Sequence, residues 1–218
     1  MRMNKLIIVN GTMEAVEGIH IGGNNEGTKV GGCDNAVIRN PITNEPYIPG
    51  SSIKGAMRSI MEKTTGKYNN GKPCGCGDAK CIVCKLFGAH MNMQAKSGEP
   101  RLMIRDMPID NNFKHELLES GLNISDIIEI KSSTMVDRNT NTAATGSLRS
   151  IERVAAGTKF SCEYVIKVFD GDNEKELIDA LKSNLDALSI LGIGSKTTSG
   201  SGQVSFDIDW DKAKVVKF

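Results

Sequence analysis

Four of the six cysteines fall within eleven residues, Cys74, Cys76, Cys81 and Cys84, in the spacing C-x-C-x4-C-x2-C. Thiolates this close together can surround one tetrahedral Zn²⁺ and fold a loop that has no hydrophobic core of its own. In the competing reading some of them are buried thiols and His90 supplies a ligand. A site closed by four thiolates leaves no open position for chemistry, so a zinc here is expected to be structural. A disulfide framework is not expected in a chain of this kind.

Two further stretches have the residue types that hold phosphate. In Pro49-Gly50-Ser51-Ser52-Ile53-Lys54-Gly55-Ala56-Met57-Arg58, Lys54 and Arg58 are four apart, while Ile53, Met57, Ile60 and Met61 form a separate apolar stripe. A helix starting at Ser51, with Ser51 or Ser52 as its cap, would aim first-turn amides, the helix dipole and two cations at one spot. A solvated cationic face is the plainer alternative. Leu191-Gly192-Ile193-Gly194-Ser195-Lys196-Thr197-Thr198-Ser199-Gly200-Ser201-Gly202 can cradle phosphates through backbone amides, or simply turn the chain. No G-x-x-x-x-G-K-[ST] occurs, which disfavours a nucleotide triphosphatase. Ser51-x-x-Lys54 and Lys196-Thr197 also suit serine acyl transfer, but Ser125-Asp126-Ile127 is a poor third element.

The elements that position these groups follow from periodicity. A strand is predicted over Lys5–Val16, then a flexible exit through Gly18 to Lys29, then the helix from Ser51. Thr64–Asp78 reads as loop, Arg101–Met107, Ser132–Asp137 and Lys159–Asp170 as strands, and Thr134–Gly157 as a long polar excursion. An amphipathic helix is expected from Asn173 to about Ile190, with Asn173 and Glu176 as a capping box, and Gln203–Asp209 as a closing strand. This order predicts an α+β fold, one sheet backed by two helices, with a ferredoxin-like core. The chain has 27 Lys+Arg against 26 Asp+Glu, a net charge of +1, so any nucleic acid must be held by local patches. The longest early apolar run, Leu6 to Val9, is too short for secretion or membrane insertion, which leaves a cytoplasmic expectation with no membrane partner.

Gly18-Ile19-His20-Ile21-Gly22-Gly23, Cys33-Asp34-Asn35-Ala36-Val37-Ile38-Arg39-Asn40-Pro41, Tyr47 to Arg58, Leu86-Phe87-Gly88 and the glycine-rich loop together resemble one family. It is the repeated backbone subunit of the type III-A CRISPR RNA-guided interference complex, within the repeat-associated mysterious protein (RAMP) superfamily. The resemblance runs from Gly18 to Gly202, and the Asp34 loop with Ile151-Glu152-Arg153-Val154 narrows it to this subunit.

The resemblance implies a single domain over 1–218, a modified ferredoxin-like, RRM-related palm. It carries a zinc-knuckle insertion at 64–90 and a thumb hairpin insertion at 132–159. Copies would stack as a filament along guide crRNA, beside other subunits of the complex, and cleave complementary single-stranded target RNA as a metal-dependent endoribonuclease. RNA binding would fall to His20, Ser51, Ser52, Lys54, Arg58, Arg138, Arg149, Arg153, Gly192, Gly194, Lys196, Gly200 and Gly202, with Asp34 catalytic. Cys74, Cys76, Cys81 and Cys84 would hold structural Zn²⁺, and Mg²⁺ or another divalent cation would serve catalysis. Asp106 and Glu152 are candidate supports of the active site. A displaced nucleotide frees its 2′-OH to attack its own phosphate, and a carboxylate can accept that proton or hold a cation nearby. The alternative within the same family is a non-catalytic coat on the guide; for Asp34 alone, it is an aspartate capping a turn.

Overall fold

The computed structural model describes residues 2–23, 35–68 and 71–218. The chain runs β1 (Met3–Ala15), β2 (Tyr47–Ile48), α1 (Gly50–Thr65), α2 (Ile82–Phe87), β3 (Leu102–Ile104), β4 (Met107–Pro108), α3 (Asn111–Glu119), β5 (Ile128–Ser133), β6 (Arg149–Val154), β7 (Lys159–Phe169), α4 (Glu174–Leu191), β8 (Val204–Ile208) and β9 (Lys214–Lys217). Alternation sets the first strand: Ile7, Val9, Met13 and Ala15 point to one side and all are buried. β7 answers with buried Phe160, Cys162, Tyr164, Ile166 and Val168.

The main sheet has the order β3-β7-β1-β8, with β9 also on β1, and every pairing is antiparallel. β1 pairs with β7 from Met3↔Phe169 to Glu14↔Lys159. On its other edge β9 takes Lys5–Ile8 and β8 takes Gly11–Ala15. α1 buries Ile53, Met57 and Met61, and α4 buries Leu177, Leu181, Leu185 and Leu188; these stripes pack the helices on each other and on the sheet. Asn173 caps α4 through its side chain, accepting from Glu176 N–H, while the Glu176 carboxylate lies 3.6 Å from Lys85.

The mixed α/β architecture with an antiparallel sheet matches the sequence reading, and several local expectations are corrected. α1 begins after Pro49 without a serine cap; Gly50 N–H donates instead to Asp106 Oδ1 at 2.8 Å, which makes Asp106 a helix anchor. β5 lies at 128–133 rather than 132–137, and β6 lies inside the predicted polar excursion. These two strands form their own two-stranded sheet outside the main one, from Ile128↔Val154 to Ser133↔Arg149, so they bury little and show no alternation to read. α3 buries only Leu117 and is held by Asp110, which accepts from Asn112 and Phe113 N–H. β9 follows the strand expected to close the chain.

One buried cation ties the cysteine-bearing insertion to this frame. Arg101 is 1% exposed; its guanidinium pairs with Asp172 at 2.8 and 3.2 Å, donates to the Ser97 and Glu99 carbonyls, and lies 4.7 Å over the Phe169 ring. Burial pushes the Asp172 carboxyl up, but Arg101 and the Phe169 amide outweigh it and hold the group below its ordinary value. A carboxylate depressed on folding contributes stability above the unfolded pKa, near 4, and that contribution is lost as pH falls through the lower folded value. Asp172→Ala is therefore expected to cost about 3–5 kcal/mol at pH 7, because it removes the carboxylate that neutralises a buried guanidinium. Equilibrium urea unfolding at pH 7 and at about pH 3 checks this, because the variant should lose less stability on acidification than wild type.

Candidate functional site

Where β1 ends, the chain is clamped from two sides. Val16 and Glu17 N–H donate to the Gln203 carbonyl at 2.9 and 3.1 Å, and Ile19 and Val154 exchange both backbone bonds at 2.9 and 2.8 Å. The glycine-rich loop closes over this stretch: Gly202 N–H donates to Gly18 O at 3.0 Å, Ser195 N–H to His20 O at 3.0 Å, and Ile193 N–H to Gly202 O at 2.8 Å. Gly194 and Gly202 have φ of +79° and +83°, and a Cβ would lie 2.3 Å from His20 O and 2.1 Å from Ile193 O respectively. Only glycine fits at either position. The amides of Ile193, Ser195 and Gly202 are thus taken by the protein's own carbonyls, while Lys196 stands exposed in the left-handed region at φ +62°.

His20 is buried, and its Nδ1 lies 2.7 Å from the Glu152 carbonyl, which can only accept, so Nδ1 carries the proton. Glu152 is the centre of this junction. Its N–H donates to Asn35 O at 3.0 Å, and its Oε2 accepts from Val37 N–H at 3.1 Å and Arg39 Nη2 at 3.0 Å. Asn35 also forms a parallel bridge with Ile151. Asp34, with Gly31, Gly32 and Cys33, lies outside the described residues, but the residue that follows it is fixed on β6. Arg153 joins β6 to the glycine-rich loop: Nη1 donates to Ser201 Oγ at 3.0 Å and Gly200 O at 3.3 Å, and Nη2 pairs with Glu129. Arg138 and Arg149 are exposed, Arg138 in the segment connecting β5 to β6 and Arg149 at the start of β6.

A second group gathers at the start of α1. Lys54 Nζ donates to Leu102 O at 3.3 Å and, with Ser51, Pro100, Met103, Ile104 and Lys167, lines an open groove of about 350 Å³. Burial first, then the charges of Arg58 and Lys167, lower the Lys54 ammonium below its ordinary value. Of these two cations only Lys167 shares the groove with Lys54, and it also pairs with Glu99 at 3.3 Å. Ser51 is exposed and Ser52 half-buried; Ser52 N–H donates to Pro49 O at 3.0 Å. Lys167 was missed in the sequence, where its signal was a charge on the outward register of β7. Arg58 is engaged differently from Lys54. Nε lies 2.8 Å from Glu62 Oε1 and Nη2 donates to Cys74 O at 2.7 Å.

The four cysteine sulfurs converge as the spacing predicted. Cys74 Sγ lies 3.6, 4.0 and 3.7 Å from the sulfurs of Cys76, Cys81 and Cys84, and Cys76 to Cys84 is 3.6 Å. A tetrahedron with metal–sulfur bonds near 2.3 Å has edges of about 3.8 Å, so the donor set fits a thiolate-bound metal. Burial raises the Cys74 thiol, a cost that a bound cation would offset. His90 supplies a backbone N–H to Cys74 O at 3.1 Å, and among the described residues the metal-range group is the four cysteines alone.

This fold and this site now have a family. The chain belongs to the RAMP superfamily, which it matches over residues 12–205. It is 35% identical over 224 residues to the CRISPR system Cms endoribonuclease Csm3 of Methanothermobacter thermautotrophicus, covering 94% of this chain and 85% of that one. A crystal structure of a Csm3-Csm4 subcomplex in the type III-A CRISPR-Cas interference complex superposes with a TM-score of 0.61 at 23% identity, covering 100% of this chain and 90% of that one. A cryo-EM structure of the type III-B Cmr-beta complex bound to cognate target RNA gives 0.63 at 15% identity, covering 92% and 96%.

The two arginines of β6, Arg149 at its start and Arg153 next to its end, have opposite surroundings, and their truncation should differ accordingly. Arg153→Ala is expected to cost about 1–3 kcal/mol, because it leaves Ser201, Gly200 O and Glu129 short of a partner. Arg149→Ala is expected to stay within about 0.5 kcal/mol. Thermal unfolding of both variants measures the difference.

Proposed function

We propose that this chain is the repeated backbone subunit of a type III-A CRISPR effector complex, which holds guide crRNA and cleaves the target RNA paired to it. The observation that carries the reading is the anchoring of Asn35 on β6, beside buried His20 and the glycine-rich loop. Asn35 directly follows Asp34, the residue proposed here as catalytic. In this reading the sheet is a modified ferredoxin-like palm and the hairpin is its thumb, with Arg138 and Arg149 contacting RNA phosphates or bases. Ser51, Ser52, Lys54, Lys167 and Lys196 hold guide phosphates. His20, Arg153, Gly192, Gly194, Gly200 and Gly202 shape the surface on which the guide lies. Guide pairing supplies the sequence selectivity, so the side chains have only to read the backbone.

Asp34 accepts the proton of a target 2′-OH as that oxygen attacks its own phosphorus; the P–O5′ bond breaks, the 5′ oxygen takes a proton from water and leaves as a hydroxyl, and a 2′,3′-cyclic phosphate end remains. A divalent cation, when bound, would add electrostatic stabilisation of the phosphate charge; among the described residues no carboxylates cluster in metal range. Zinc in the four-cysteine site is structural, since all its positions are filled by protein. Further copies of this chain, stacked as a filament, and the other subunits of the complex are the expected partners. A cytoplasmic setting is consistent with the described helices, none of which is long and apolar enough to cross a membrane.

Reconstitution with guide RNA, end-labelled complementary target and Mg²⁺ tests the reading. Wild type should give a ladder of evenly spaced products, and Asp34→Ala should lose it while retaining guide RNA. An unchanged ladder would leave the chain as a non-catalytic coat. Lys54→Ala should weaken guide binding alike for all sequences and reduce the slope of log affinity against log salt by about one.

A further inference from the structure

Arg58 and Glu62 join α1 to the cysteine knuckle through a ring that neither the RNA contacts nor the metal ligands require. Glu62 is buried, and its Oε1 accepts from Cys74 N–H at 2.8 Å and from Arg58 Nε at 2.8 Å. Arg58 Nη2 closes the ring on Cys74 O at 2.7 Å. Two side chains one helical turn apart thus hold both polar groups of a single ligand's peptide. A buried carboxylate such as Glu62 is costly unless fully bonded, and a shift of Cys74 takes one bond from it and one from Arg58, leaving only the pair between them. The same helix carries Lys54 one turn before Arg58, at the groove shared with Lys167.

We propose that metal occupancy of the thiolate site and RNA binding at the start of α1 are thermodynamically linked, with the Arg58–Glu62–Cys74 ring as the coupling element. The inference rests on the RNA reading given above. Metal fixes Cys74, Cys74 ties the Arg58–Glu62 pair to the knuckle, and α1 presents Ser51 and Lys54 beside Lys167 in one geometry. Without metal the ring opens at Cys74, and α1 keeps the Arg58–Glu62 pair but loses its lateral support. Arg58 is then a positioning residue whose effect on RNA passes through the metal site. Linkage is reciprocal: RNA must tighten metal binding by the factor by which metal tightens RNA.

The experiment uses the full chain, a short single-stranded RNA and Zn²⁺. Zinc affinity is read by competition with a chromophoric chelator, with and without RNA, and RNA affinity by fluorescence anisotropy at full and at limiting zinc. The two factors should agree and fall within about 5- to 150-fold. Glu62→Gln should weaken zinc about 10- to 100-fold and weaken RNA at limiting zinc, with recovery in excess zinc. Loss of a negative charge would by itself strengthen RNA binding, so the direction discriminates. Circular dichroism of each zinc-loaded variant checks folding, and Arg58→Lys supplies a milder change if Glu62→Gln fails to fold. Equal zinc affinity with and without RNA overturns the coupling, as does tighter RNA binding by Glu62→Gln with zinc unchanged. Loss of RNA affinity by Arg58→Ala at full zinc occupancy would overturn it too, making Arg58 a direct contact. A zinc-loaded wild type that binds no RNA overturns the RNA reading itself, and that result is seen before any variant is compared.

Discussion

Everything that gathers at the functional junction depends on β1 being hydrogen-bonded along both edges. β7 occupies one edge, while β9 and β8 share the other in succession. The strand cannot slide by one residue without turning Ile7, Val9, Met13 and Ala15 outward, so its register is fixed by burial. A fixed register sets where β1 ends. From that point Ala15 to His20 lies between residues 154–158 and residues 195–203, bonded to both. The hairpin strand β6 and the glycine-rich loop are therefore brought to His20 by the sheet, although they are far apart in sequence.

The cations divide by what they face, which a net charge of +1 conceals. Arg101, Arg58 and Arg153 turn inward, each to carbonyls and a carboxylate of the protein, where the planar guanidinium can bridge several acceptors at once. Lys54 and Lys167 line the groove at the start of α1, and Lys196, Arg138 and Arg149 are exposed. The groove is cationic through Lys54 and Lys167, while Arg58 is neutralised beside it by Glu62.

Elements with a buried stripe were legible from residue order alone: α1 from Ile53, Met57 and Met61, α4 from its leucines, β7 from Phe160 to Val168. The cysteine group was equally readable, because four ligands in eleven residues need no tertiary information. What escaped lacked a periodic partner. β5 and β6 face each other away from the main sheet, and α3 buries one leucine. Side-chain commitments were the other gap. Nothing in the spacing of Arg58 shows that Cys74 will lie beside it, and only the fold shows that Asp106 replaces Ser51 or Ser52 at the head of α1.

The sheet topology also bears on how the molecule comes to be folded. β1 is made among the first fifteen residues, yet its partner β7 begins at Lys159 and its second edge is completed only at Lys217. Pairing over such separations closes long loops before it is rewarded, which slows folding and leaves strand edges open meanwhile. During synthesis at roughly 5–20 residues per second, β1 waits on the order of ten seconds with both edges exposed. The knuckle, whose four ligands are complete by Cys84, can be assembled by local closure during that interval, as can the β5–β6 hairpin.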